Sequence, residues 1–175
     1  MITREYDFER IYRNFFTILH KDFHLLDPDE ATNFIYWSDD ILYNIWGTKA
    51  DNRNLMNFCF SAYQHSALTP NVCVSLSVPE FQLTNSMPNT TYLGEITCSD
   101  FHKIRKSISE SKLLQKYFFV HTFLKKTYIN NRIDSGNSPS EYDYKYCIYV
   151  TIESQKDLET LTTYSRLVKK NNNTL

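Results

Sequence analysis

Glycine is scarce in this chain: there are three, Gly47, Gly94 and Gly136, and each stands alone. Loops that cradle phosphates need several glycines close together so that backbone amides can approach the ligand, so Walker-type and dinucleotide-binding loops are excluded. Cysteine is sparse as well. Cys59, Cys73, Cys98 and Cys147 form no Cys-x-x-Cys pair, which argues against zinc or dithiol chemistry and leaves each as a small apolar side chain. Long apolar runs are missing too: the stretches at 117–120 and 147–150 fall far short of the ~20 residues needed to span a bilayer. The opening residues Arg4, Glu5, Asp7 and Glu9 lack the basic-then-apolar order of a secretory leader, so the expectation is a cytoplasmic protein with no membrane segment.

Aromatic residues, by contrast, are plentiful. The 13 Tyr and 12 Phe predict an aromatic-rich interior. With 175 residues, 42% of them hydrophobic and 22% charged, the chain can bury a core without metal or disulfide staples. The expectation is one α+β domain over 1–170 with a polar tail at 171–175, and no cofactor.

Hydrophobic periodicity predicts an amphipathic helix over 6–23, closed by the Asp27-Pro28-Asp29 turn. Residues 33–37 read as a short aromatic strand, after which Ser38 caps a helix over 39–46 that Gly47 terminates. A helix over 52–67 stops before Pro70, and the alternation of Val72, Val74, Leu76 and Val78 gives an extended run, with a second at 90–98. Ser99 or Asp100 caps a helix that buries Phe101, Ile104 and Ile108. Residues 117–129 read as a strand, with a continuation of the helix as the alternative. Turn residues fill 130–140, and 142–152 forms the partner strand. A last helix over 154–168 is capped by Ser154 with Asp157, and 169–175 reads as frayed. The sum is an antiparallel sheet of about four to five strands with flanking helices, including an N-terminal and a C-terminal amphipathic helix.

No catalytic residue is assigned. His20 and His24 lie one helical turn apart with Asp27 nearby, but Lys21 stands where a zinc protease has its glutamate, so surface histidines are the preferred reading. The acid pairs Asp29-Glu30 and Asp39-Asp40 suit helix starts better than acid/base catalysis, because adjacent carboxylates rarely converge on one cleft. His65-Ser66 and His121-Thr122 set a base beside a hydroxyl in sequence only. A small hydrolase assembled from scattered residues stays as an alternative.

Charge is distributed unevenly. The stretch 101–132 holds Lys103, Arg105, Lys106, Lys112, Lys116, Lys125, Lys126 and Arg132 against the single acid Glu110, in a chain of net charge -1. Lys103, Arg105, Lys106, Lys112 and Lys116 are therefore the candidate partner-binding residues, for an acidic protein or for nucleic acid. The plain alternative is a solvated helix face. A second candidate site is an aromatic-lined pocket built from Tyr36, Trp37, Trp46 and Phe58, whose plain alternative is core packing.

Two segments resemble PAS sensory domains, in which a five-stranded antiparallel sheet and short helices enclose a pocket. Leu26-Asp27-Pro28-Asp29, Asn33-Phe34-Ile35-Tyr36, Asp40-Ile41-Leu42 and Ile45-Trp46-Gly47 are similar to the family's opening hairpin and first helix. Tyr149-Val150-Thr151-Ile152, followed by Lys156 and Glu159, resembles its closing strand and exit helix. The resemblance covers about 24–160 and implies sensing or dimerisation rather than catalysis. The expected function is a non-enzymatic regulatory or interaction domain.

Overall fold

Side chains that alternate between two packed faces build the sheet, and those that recur every three or four residues build the helices over it. The computed structural model describes residues 28–53, 80, 83, 87, 89–125, 128 and 138–173. Along these the order is α1 (Pro28–Trp46), β1 (Thr90–Ile96), α2 (Cys98–Ser109), α3 (Lys112–Tyr117), β2 (Phe118–Leu124), a 3-10 turn (Glu141–Asp143), β3 (Tyr144–Thr151) and α4 (Gln155–Asn173).

The three strands form one antiparallel sheet in the order β1-β3-β2, with the last strand in the chain at its centre. The three strands fall within the extended runs expected at 90–98, 117–129 and 142–152, which overrun them into α2, α3 and the 3-10 turn, and among the described residues the sheet has three strands rather than four to five. The run at 72–78, the helix at 6–23 and nearly all of the helix at 52–67 lie outside the described residues.

Residues 33–37 are not a strand; they lie inside α1. Aromatic propensity misleads here, because the buried positions Ile35, Ser38, Leu42 and Trp46 recur at the helical spacing and bind the segment to a longer period. Ser38 is consequently no cap, and its Oγ donates to the Ile35 carbonyl at 2.8 Å within the helix. Pro28, read as part of a turn, takes the first helical position, where its missing N–H leaves nothing unsatisfied. Gly47 does end α1: its φ is 65° and its N–H returns to Tyr43 O at 2.8 Å.

One face of the sheet carries Phe118, Ile148 and Val150 against the helices, where Leu42, Ile104, Leu158 and Leu161 are fully buried. Each such side chain contributes about 1.5–3 kcal/mol through removal from water. Phe101 of α2 meets Tyr146 of β3 with ring centroids 5.0 Å apart. On the opposite face Tyr149 stacks on Phe119 at 4.7 Å and tilts against Tyr92 at 5.3 Å.

A bulge between Tyr92 and Gly94 keeps Tyr92 and Glu95 on that second face. Asp51 runs against β1 at this point, exchanging hydrogen bonds with Glu95 of 2.7 and 3.1 Å. Gly94 has φ 135°, and a Cβ there would lie 2.8 Å from the Asp51 carbonyl oxygen, so glycine is required for the approach.

The last helix is longer than expected: α4 runs to Asn173, through residues read as frayed. Ser154 does cap it, accepting from Asp157 N at 3.3 Å. Trp37 Nε1 donates to Thr162 Oγ1 at 2.9 Å, and further along both helices Trp46 shares a groove with Lys169 and Asn172. α1 and α4 therefore lie side by side in the same direction. Among the described residues no helix is long and apolar enough to cross a membrane.

Candidate interaction surface

The first part of the basic stretch, up to Tyr117, folds as two helices rather than one. Thr97, not Ser99 or Asp100, caps α2, its Oγ1 accepting from Asp100 N at 3.1 Å. The helix ends at Glu110, and Ser111 opens α3 by accepting from Leu114 N at 3.2 Å. Phe101 and Ile104 turn inward on α2, as do Leu114 and Tyr117 on α3. The helical period then leaves Lys103, Arg105, Lys106, Lys112 and Lys116 all exposed.

These five cations are not equivalent. Lys103 donates from Nζ to the Trp46 carbonyl at 2.6 Å and lies 3.8 Å from Asp100, so it closes the C-terminal end of α1 where carbonyls lack partners. Lys116 lies 3.7 Å from Asp157, with its ammonium 5.2 Å from the centre of the Tyr117 ring. Tyr117 and Asp157 together hold it protonated beyond the ordinary lysine range. The acids beside these two lysines, Asp100 and Asp157, both lie outside the stretch 101–132. Among the described residues no ion pair engages Arg105, Lys106 or Lys112.

Beside this face lies a groove of about 340 Å³, lined by Phe101, Arg105 and Ile108 of α2 and by Phe119, Val120, His121 and Thr122 of β2. Residues 101, 105 and 108 form one stripe of a helix. The strand contributes consecutive residues instead of alternate ones, so the groove meets its edge rather than one of its faces.

The aromatic site does not assemble as one pocket. Tyr36, which is 64% exposed, and Trp37 line a cleft of about 270 Å³ between α1 and α4 that also includes Asp40, Asn44 and Arg166. Trp46 sits nine residues further on and borders a separate groove with Lys103 and Lys169. Its indole Nε1 donates to Ser107 Oγ at 2.8 Å. Phe58 lies outside the described residues.

A partly buried polar cluster on the second sheet face escaped the sequence reading. Lys145 Nζ lies 3.1 Å from Glu80 and 4.0 Å from Glu95, and Tyr149 donates its hydroxyl proton to the Glu80 carbonyl at 2.9 Å. Burial alone would lower the Lys145 pKa, but the hydrogen bond and charge of Glu80 outweigh it and raise the value. Burial raises that of Glu95, against the opposing pull of Lys145. Cys147, fully buried at 3.8 Å from the Tyr92 hydroxyl, has its thiol pushed up to about 12 by burial. Such a thiol stays protonated at neutral pH and is no nucleophile. The cluster fastens Glu80 to the sheet. Its signal in the sequence is Lys145, a charge that shares a strand face with Cys147 and Tyr149.

Among the described residues no three His, Cys, Asp or Glu side chains gather closely enough to hold a metal, while His20, His24 and Asp27 lie outside them. His121 and Thr122 are neighbours on β2 and so point to opposite faces, and the His121 ring packs edge-on against Phe123 at 4.7 Å. Comparison with family models, with curated proteins and with solved structures finds no match for this chain.

Proposed function

We propose that this chain is a non-enzymatic interaction domain that binds an acidic protein partner through the solvent face of α2 and α3. The observation that carries this reading is the set Arg105, Lys106 and Lys112: three exposed cations with no ion pair among the described residues, carried by helices whose inner faces are fixed in the core. Like charges this close repel one another, and an acidic surface relieves that repulsion. Lys103 and Lys116 border the same face, but their hydrogen bonds and ion pairs serve the fold.

The test is Lys106→Glu combined with Lys112→Glu. Exposed charge changes of this kind alter stability by less than about 0.5 kcal/mol, so circular dichroism should be unchanged. Binding to an acidic synthetic polypeptide should weaken in the variant. In the parent protein it should also weaken as salt rises from about 50 to about 200 mM. Binding that survives both changes sinks the proposal. A steep salt response to duplex or single-stranded DNA, with none to the polypeptide, shifts the reading to nucleic acid.

A further inference from the structure

The two outer edges of the sheet are treated differently. That of β1 is bent by the bulge at Gly94 and taken up at Glu95 by Asp51. Among the described residues that of β2 has neither device. The strand Phe118–Leu124 reads FFVHTFL, with no proline, no lysine, no acid and no bulge, and among the described residues no further strand pairs with it. Open edges are usually blunted by one of these features, so a long apolar edge without any of them is a template for another strand.

The pairing register shows which backbone groups of β2 point away from β3. Lys125 N donates to Asp143 O at 2.8 Å, one step past the Leu124–Tyr144 pair. Hydrogen-bonded pairs alternate with non-bonded ones in an antiparallel ladder, so Phe119, His121 and Phe123 direct their N–H and C=O groups at β3. Val120 and Thr122 therefore direct theirs outward. They open onto the groove whose far wall is the α2 stripe Phe101, Arg105 and Ile108.

We infer that an extended acidic peptide adds to the outer edge of β2 as a fourth strand of the sheet, lying in the groove beside α2. This rests on the proposed role of the basic face and gives it a binding mode. The outward N–H and C=O groups of Val120 and Thr122 take the peptide backbone. Alternate side chains of the peptide pack on Phe101 and Ile108. The charge of the occupant follows from Arg105 on the groove wall, with Lys106 next to it on α2 and Lys125 just after β2. Glu110, the single acid of 101–132, is at the C-cap of α2.

The probe is a capped synthetic peptide of alternating Glu and Val, compared with its Lys and Val counterpart and with a copy N-methylated at alternate backbone nitrogens. On binding of the Glu and Val peptide, the amide protons of Val120 and Thr122 should become protected from exchange. Thr122→Pro removes an outward donor while sparing the bonds to β3, and should weaken binding about tenfold, the effect of losing about 1.4 kcal/mol. Backbone N-methylation of the peptide should do the same with the protein unchanged, which covers the case in which the proline variant fails to fold.

Acidic-peptide binding that ignores both N-methylation and Thr122→Pro overturns strand addition and leaves the basic-face reading standing. Equal binding of the Lys and Val peptide overturns both. A dimer of the free protein that Thr122→Pro abolishes identifies a second copy as the occupant and overturns the peptide. Displacement of the peptide by single-stranded DNA, with protection at Val120 and Thr122 lost, overturns it in favour of nucleic acid.

Discussion

Trp46 and Phe118 meet edge to face, their ring centroids 5.1 Å apart and their planes at 75°, and this contact joins the end of α1 to the first residue of β2. The same indole donates to Ser107 on α2, so one side chain ties together two helices and a strand. Trp46→Ala should destabilise the fold by about 3–5 kcal/mol, as aromatic truncations in cores do. Ser107→Ala removes only the acceptor and should cost about 1 kcal/mol. Urea unfolding of both variants measures the difference. Equal effects would mean that the ring contributes little beyond its hydrogen bond.

Gly94 and Gly47 both have positive φ, but their surroundings differ. At Gly47 an added Cβ meets no atom within 4 Å, so Gly47→Ala should cost only the left-handed backbone penalty, about 1–2 kcal/mol. At Gly94 the same atom lies 2.8 Å from Asp51 O, so Gly94→Ala should cost more and should detach Asp51 from β1. Thermal unfolding ranks the two, and hydrogen exchange at the amides of Asp51 and Glu95 reports the detachment. A smaller loss at Gly94 would contradict the close approach.

Asp157 accepts from the Tyr117 hydroxyl at 3.0 Å and from Glu153 N at 3.0 Å, and it lies 3.7 Å from Lys116. Asp157→Ala leaves the buried hydroxyl without this acceptor and should cost about 1–3 kcal/mol. Tyr117→Phe should then be less harmful in the Asp157→Ala background than in the parent chain. Strict additivity of the two substitutions would show that the bond contributes nothing.

Cys147, Tyr92 and Tyr149 all have pKa values raised in the folded state, with burial the largest cause in each. The folded chain therefore holds these protons longer than the unfolded chain does. The stability they confer is complete below the ordinary thiol value of about 8.5 and is lost as pH rises toward the folded value. For Cys147 that window closes at about 12. Stability should fall steadily over this range, and absorbance titration of phenolate should show Tyr92 and Tyr149 ionising only as the protein unfolds. Iodoacetamide should modify Cys98, which is half-buried, before Cys147. Early modification of Cys147 would contradict its burial.

Much of the described fold was legible where a period was long or a cap was chemically plain. The three strands lie within runs marked by their aromatic and β-branched content, though the run at 117–129 reaches well past the end of β2; Gly47 follows from its place after Trp46, and the start of α4 from Ser154 with Asp157. Residues 33–37 misled because four bulky residues in a row satisfy strand propensity locally, while the helical recurrence through Trp46 shows only over a longer window. The break at Glu110-Ser111 did leave a mark, because Ser111 and Lys112 stand where a continuing helix would place the next apolar residue after Ile108, and Leu113 comes one position late. In the candidate site, exposure of the five cations followed from the helical period, three of them on α2 and two on α3. The Trp46 carbonyl that Lys103 reaches and the Asp157 beside Lys116 did not, since both are distant in sequence. The place of β2 at the edge of the three-stranded sheet could not be read before the strand order was known, because nothing within 118–124 says which strand lies in the middle.

That order has a consequence for synthesis. β3 pairs with both of its neighbours and is the last of the three strands to be made, so β1 and β2 have no partner in this sheet until Tyr144–Thr151 leaves the ribosome. Throughout that interval the apolar run of β2 is exposed on a nascent chain that has no sheet to join, which makes it the natural place for a chaperone to hold the growing polypeptide.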